Sequence, residues 1–210
     1  TTWTETASDR TFADVACGND FTLAIAADGT LWSTGWGTPD WTQVQQGTTF
    51  TQVSATADAW AALASDGTVR YNTTNQADVN TGTIRDICTQ VAAGPGKVLC
   101  LNADGTVQVA DSGPVAGLKD VKSIAMGHHS YYAITNDGHL WTWGWNGDGQ
   151  LANGRTGNGT YWTNGETYGN KDIVSTPTNT GVTASAVAGG DRDALIVSDK
   201  VMIAGYDPYG

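Results

Sequence analysis

The chain repeats itself, and a repeat constrains the architecture more than any single residue does. "FADVACGNDFTLAIAADGTLWSTG" at 12–35 returns as "FTQVSATADAWAALASDGTVRYNT" at 50–73, as "CTQVAAGPGKVLCLNADGTVQVAD" at 88–111 and as "VKSIAMGHHSYYAITNDGHLWTWG" at 121–144, all without a gap. A worn fifth copy, "ASAVAGGDRDALIVSDKVMIAG", fills 184–205. Val15, Val53, Val91, Ile124 and Val187 make one apolar column. Ala24, Ala62, Cys100 and Ala133 make a column of small residues, beside the large apolar column of Ile25, Leu63, Leu101 and Ile134. Asp-Gly recurs at 28–29, 66–67, 104–105 and 137–138, ten residues beyond the column of Gly18, Thr56, Gly94 and Gly127.

Asp-Gly between apolar runs signals a hairpin, and a two-residue type I′ turn is expected because that turn needs positive φ at both central positions. Each unit then reads strand, turn, strand, hairpin, strand, with a fourth strand from segments such as "WTQV" at 41–44. "WTETASDRTFADV" at 3–15 aligns with "WTQVQQGTTFTQV" at 41–53, so the sequence opens on a fourth strand, and the last copy stops at "GYDPYG" where its own would begin. The expected fold is all-β, a five-bladed β-propeller of four-stranded antiparallel blades in one domain spanning 1–210. Residues 2–6 are expected to complete the last blade and close the ring, which removes exposed sheet edges. The repeat units run about 2–39, 40–77, 78–110, 111–173 and 174–210, the third shortened because the period falls from 38 to 33.

The stretch "WTWGWNGDGQLANG" at 141–154 carries a family resemblance. Trp143-Gly144, then Asn146, Gly149-Gln150-Leu151 and Gly154, with Pro177 downstream, resembles the regulator of chromosome condensation repeat, with Ala152 where that pattern has glycine. The full motif occurs once. The histidine that the family places three residues after the repeat glycine is replaced by Phe21, Ala59, Lys97, Ser130 and Asp193. The resemblance implies a propeller; function must be argued from the site.

Composition narrows the function. The net charge of −11 and ten scattered basic residues set the chain against a phosphate backbone and against anionic membrane surfaces, so neither nucleic acid nor a membrane is an expected partner. No apolar run approaches the length of a membrane span. The opening TTWTE suits either a trimmed start methionine or a mature secreted form. The 27 glycines follow no Gly-X-Y period.

His128 and His129 are adjacent, so their side chains should point apart, and two histidines fall short of the three or four ligands zinc needs. Cys17, Cys88 and Cys100 stand in columns filled elsewhere by Ala or Phe and read as buried thiols, with a Cys88–Cys100 cross-strand disulfide left open by their symmetry about Gly94. Asn146, Asp148 and Gln150 alternate as in a calcium loop, but the twelfth position is Gly157 rather than glutamate. Asp28, Asp66, Asp104 and Asp137 recur as hairpin residues, whereas a general acid–base pair would not appear once per blade. No nucleophile elbow, phosphate loop or dinucleotide fingerprint is present. The expectation is a non-enzyme without metal or cofactor.

The aromatic loops remain. The strand directions put the Gly18-type turns and the exit loop after each third strand at one end of the blades. The insertion from 145 to 174 should project there among Asn19, Asp20, Asp58, Gly96 and the His128–His129 pair. Long loops in compact domains are usually functional, and aromatics on polar loops give contact area at low entropic cost. Trp36, His128, His129, Trp145, Asn146, Tyr161, Trp162 and Tyr168 form the candidate partner surface. Trp141 and Trp143 should pack within their blade. Five short, acidic blades depart from the exchange-factor and chromatin roles of the family's founder. The expected function is a binding or assembly propeller, most simply a phage virion component such as a capsid decoration, tail-tip or receptor-binding protein. Its partners would then be other subunits or a cell-surface receptor or glycan. The alternative is a secreted propeller of the protein-inhibitor or lectin kind.

Overall fold

The structure is a computed structural model, and it describes residues 9–35, 37–73, 82–155 and 172–206, without the side chains of Thr38 and Pro39. All regular structure among these residues is antiparallel strand, arranged in five sheets. The first contains β1 (Phe12–Cys17), β2 (Phe21–Ala26), β3 (Leu31–Gly35) and β4 (Thr38–Val44), and the second β5 (Phe50–Thr56), β6 (Ala59–Ala64), β7 (Val69–Asn72) and β8 (Gly82–Ile84), each in sequential order. The third contains β9 (Cys88–Gly94), β10 (Lys97–Asn102), β11 (Val107–Val109) and β12 (Gly113–Pro114). Its last two strands are only three and two residues long, which is where the shortened period falls. The fourth contains β13 (Val121–Met126), β14 (Ser130–Thr135), β15 (His139–Trp145) and β16 (Ile173–Thr183). The fifth has three strands among the described residues, β17 (Ala186–Gly189), β18 (Asp193–Val197) and β19 (Val201–Gly205). Residues 2–6, expected to complete that sheet, lie outside the described residues.

The chain divides into two compact units, Thr1–Val98 and Leu99–Gly210. In the first, a core of Phe21, Leu23, Ile25, Leu31, Phe50, Val53, Trp60 and Ala62 fills the space between the first two sheets. In the second, Tyr132, Ile134, Leu140, Ala184, Ala194 and Ile196 do the same between the fourth and fifth. The repeat columns are therefore inter-sheet packing columns.

The recurring Asp-Gly also has a second task. The Gly29 carbonyl accepts the Phe50 N–H, Gly67 that of Cys88, Gly105 that of Val121, and Gly138 that of Ala184, at 2.8–3.0 Å. Each hairpin thus clasps the chain that begins the next sheet. The hairpin type differs from expectation. Gly29, Gly67, Gly105 and Gly138 have φ of +84°, +85°, +79° and +88°, while the preceding aspartates stay at negative φ. With Gly29 N–H donating to the Ala26 carbonyl and Ala26 N–H to the Thr30 carbonyl, the loop is a three-residue turn ending in a left-handed glycine. The aspartate selects it, because Asp28 Oδ1 accepts both the Thr30 N–H (3.0 Å) and the Thr30 hydroxyl (2.6 Å). Asp66 with Thr68 and Asp104 with Thr106 repeat the arrangement.

At the other end of the strands, the Gly18 turn closes through its N–H to the Phe21 carbonyl at 2.9 Å. A Cβ on Gly18 would stand 2.1 Å from the Phe21 ring and 2.5 Å from the Ala57 carbonyl oxygen. Glycine is required there by the closeness of the neighbouring turn.

Candidate functional site

The loop end of the second unit can be built from the "WNGDGQL" stretch. Asn146 is the hub. Its side-chain oxygen accepts the Leu151 N–H at 2.9 Å, and its amide donates to Asn153 Oδ1 (3.2 Å) and to the Arg155 carbonyl (3.0 Å). Gln150 Oε1 accepts the Asp148 N–H at 3.0 Å, and the Tyr132 hydroxyl donates to the Gln150 carbonyl at 3.1 Å. Thr142 donates to the Leu151 carbonyl and Ser130 to the Trp145 carbonyl. A short loop has no ladder to satisfy its backbone, so side chains supply the partners.

This arrangement corrects two expectations. Trp145 and Asn146 are each 4% exposed; they are internal supports of the loop and contribute no partner surface. Of the insertion expected to project, the described part up to residue 155 is folded against its own sheet, with Leu151 buried. Trp143 packs as expected, stacked on Tyr131 at 5.5 Å between ring centroids, and Trp141 is half-buried. Trp36, Tyr161, Trp162 and Tyr168 lie outside the described residues.

His128 and His129 do not diverge. Their rings lie 4.4 Å apart, because the turn is held from the next sheet: the His128 N–H donates to the Gly190 carbonyl at 3.0 Å, and its Nδ1 lies 2.8 Å from an Asp191 carboxylate oxygen. Burial, and then the neighbouring His128, lower the His129 pKa to about 4, with Asp191 opposing, so at neutral pH it is the uncharged imidazole. One residue further, Arg192 clamps Asp148 with both ends of its guanidinium, Nε to Oδ2 at 2.9 Å and Nη2 to Oδ1 at 2.5 Å, and lies 4.1 Å over the Tyr206 ring. The Asp148 side chain is 5% exposed, whereas Tyr206 is 48% exposed. His128, His129, Asp191, Arg192 and Tyr206 therefore form the accessible rim, and the last three were missed by sequence reasoning. The register held a signal for Asp191: it follows Gly190 as His128 follows Gly127, and these glycine turns abut. In the first unit the same rule puts Asn19 against Asp58, with Asn19 Nδ2 3.4 Å from Asp58 Oδ1.

The cysteines depart from expectation as well. Cys88 and Cys100 are buried, as their columns imply, but they are disulfide-bonded rather than free thiols. Cys17, the free cysteine, is exposed. Among the described residues no group of three or more His, Cys, Asp or Glu is placed to hold a metal ion.

Residues 12–38 and 121–150 match the model of the Regulator of chromosome condensation (RCC1) repeat. No curated protein is significantly similar to the chain in sequence. The fold is similar to human WBSCR16, at TM-score 0.74 and 22% identity, over 91% of this chain and 59% of that one. It is similar to Prp20p from Saccharomyces cerevisiae, characterised for its binding properties to Gsp1p and histones, at TM-score 0.71 and 20% identity over 91% of this chain and 56% of Prp20p. The ectodomain of the Arabidopsis thaliana receptor kinase ACR4 is more distant, at TM-score 0.60 and 14% identity over 91% of this chain and 64% of that one. The chain spans little more than half the length of the first two. Its antiparallel four-stranded sheets are accordingly similar to the blades of these propeller-like neighbours. In that light the RCC1 glycines mark where neighbouring blades meet, and the Asn-x-x-Gly-Gln-Leu segment is the joint that ends a blade's third strand.

Proposed function

We propose that this chain is a non-catalytic protein-binding module that offers the Gly18-type loop end of its blades to a partner. The observation that carries the reading is the rim of the second unit. There, Arg192 is paired with the buried Asp148 carboxylate and lies over the Tyr206 ring, and His128 Nδ1 meets the Asp191 carboxylate, so a partner meets a surface already ordered, and pre-organisation lowers the entropic cost of binding. The protein partners of Prp20p support a binding role in outline, while this chain's acidic charge leaves the partner its own. The recurring carboxylates have structural employment: Asp28, Asp66 and Asp104 have lowered pKa values through the Thr hydroxyl and then the Thr N–H two residues on. Asp137 is lowered to about 2, chiefly by Thr135. Groups held this firmly as anions are poor proton donors at neutral pH.

The five sheets are read as the blades of one propeller, with residues 2–6 as the outer strand beside β19, where the described residues supply none. Trp3-Thr4-Glu5 matches Trp41-Thr42-Gln43 on β4, which supports this assignment. Composition favours a virion component as the narrower reading, since Thr/Gly/Trp-rich, Lys-poor β domains of this size resemble particle decorations and receptor-binding fibres. The disulfide state of Cys88 and Cys100 favours an oxidising location, which supports equally a secreted recognition propeller.

The test is affinity capture from the producing organism's own extract, with the wild-type chain set beside a variant lacking 155–170 and beside Tyr206→Ala. A protein held by the wild type and lost from both variants, with each variant still unfolding cooperatively within a few degrees of the wild type, is the expected result. Capture indifferent to both changes removes the loop end from the reading, and no capture by the wild type removes the binding role.

A further inference from the structure

The loop that follows β15 holds the same dipeptide twice, in opposite settings. Asn146-Gly147 and Asn153-Gly154 stand seven residues apart; two more Asn-Gly pairs, at 158–159 and 164–165, lie outside the described residues. Asparagine before glycine is the pairing in which the main chain most easily attacks its own side chain, because a residue without Cβ leaves its N–H uncrowded and its backbone free to turn. Both reacting groups are already in one molecule, so proximity replaces an encounter.

Asn146 is sealed against this reaction. It is 4% exposed, its Oδ1 is committed to the Leu151 N–H, and its Nδ2 to Asn153 and to the Arg155 carbonyl. Gly147 is buried beneath the Trp145 indole, which a Cβ there would overlap. Asn153 is open where Asn146 is closed. It is half-buried, and Gly154 is exposed, at φ +73° with open space where a Cβ would stand. Asn153 Oδ1 accepts two N–H donors, the Arg155 backbone at 3.1 Å and the Asn146 side chain at 3.2 Å. Among the described residues no hydrogen bond holds its Nδ2 or the Gly154 N–H. Two donors on the amide oxygen stabilise the negative charge it takes up when Cγ is attacked, and the unheld nitrogen is the leaving group.

We propose that Asn153-Gly154 is a self-modification site that converts to aspartyl and isoaspartyl forms in the folded chain, with water as the co-reactant. Solvent base takes the Gly154 N–H proton and the nitrogen bonds to Asn153 Cγ. The Cγ–Nδ2 bond then breaks, and ammonia leaves with a proton returned by solvent. Water opens the resulting imide. Attack at Cγ breaks the new bond and gives aspartate; attack at the main-chain carbonyl breaks the old peptide bond and gives isoaspartate. Each event adds one negative charge to the chain's −11. The aspartyl form keeps an oxygen for both donors, whereas the isoaspartyl form lengthens the main chain by one carbon and releases the Asn146 amide. The inference is independent of the binding reading, because its readout is the mass of the chain itself.

Peptide mapping by mass spectrometry of the folded chain, stored at neutral and at mildly alkaline pH, tests it. Asn153 should convert, faster at the higher pH. Asn146 should lag by about tenfold or more, since freeing it leaves the buried Leu151 N–H without an acceptor. In urea the two should convert at similar rates, because the cage is gone. Gly154→Asp, whose side chain tolerates the left-handed φ and meets open space, should suppress conversion at 153 and leave Asn146 as it was. An Asn153 that stays intact in the folded wild type would overturn the proposal. So would an Asn146 that converts as fast as Asn153 in the folded chain, or a Gly154→Asp variant that converts at the wild-type rate.

Discussion

Replacing Arg192 by methionine should loosen the second unit, because it strands a carboxylate. The change keeps an unbranched apolar stem and removes the guanidinium, leaving Asp148, 5% exposed, without the ion partner that grips both of its oxygens. Breaking one side of a buried pair costs about 3–5 kcal/mol. Arg192, at 23% side-chain exposure, lies where water can enter and solvate part of the stranded charge, so the cost falls to the bottom of that range or just below it, roughly 2–3 kcal/mol. Losing the cation–π contact with the half-exposed Tyr206 adds about 0.5 kcal/mol. A total near 3 kcal/mol corresponds to a fall in Tm of roughly 6–12 °C for a chain of this size. Urea unfolding followed by tryptophan fluorescence, with hydrogen exchange at β17–β19 as the local readout, measures it. The decisive control is Asp148→Leu combined with Arg192→Met. Removing both charges together should cost only about 0–1 kcal/mol, so the cycle should show a coupling above roughly 1.5 kcal/mol. A single variant within about 0.5 kcal/mol of the wild type, or a double variant as unstable as the single, would refute the reasoning.

Two further predictions concern the same loop end. His129 has a folded pKa of about 4 against about 6.5 when unfolded, so between those values the unfolded state binds the extra proton. The stability it contributes is present above about pH 6.5 and declines as the pH falls towards about 4; thermal unfolding against pH should show a slope in that window that His129→Gln flattens, and an identical slope in both proteins would contradict the assignment. Asn146→Ala should leave the Leu151 N–H buried without its acceptor and release the Asn153 and Arg155 contacts, costing about 2–3 kcal/mol. Chemical denaturation would check it, and a substitution neutral for stability yet damaging to binding would return Asn146 to the partner surface.

The sequence by itself determined the strands, the hairpins and their phase. Column spacing fixes which residues alternate towards an inter-sheet space, and Asp-Gly fixes where φ must turn positive; both are local, and both repeat four times. Even there, the turn type escaped, because it depends on the Asp28 carboxylate reaching the Thr30 N–H and hydroxyl. Only the tertiary structure decided which aromatic and polar loop residues face solvent. Trp145 and Asn146 read as a recognition surface by composition, and they are buried because the loop folds back to satisfy its own backbone. Asp148 and Arg192 are 44 residues apart, and His128 and Asp191 likewise come from different sheets. No periodicity within one sheet encodes such pairs, since they arise from the distance at which one sheet packs on the next, and Gly127 and Gly189 set that distance by leaving no room for a Cβ between them.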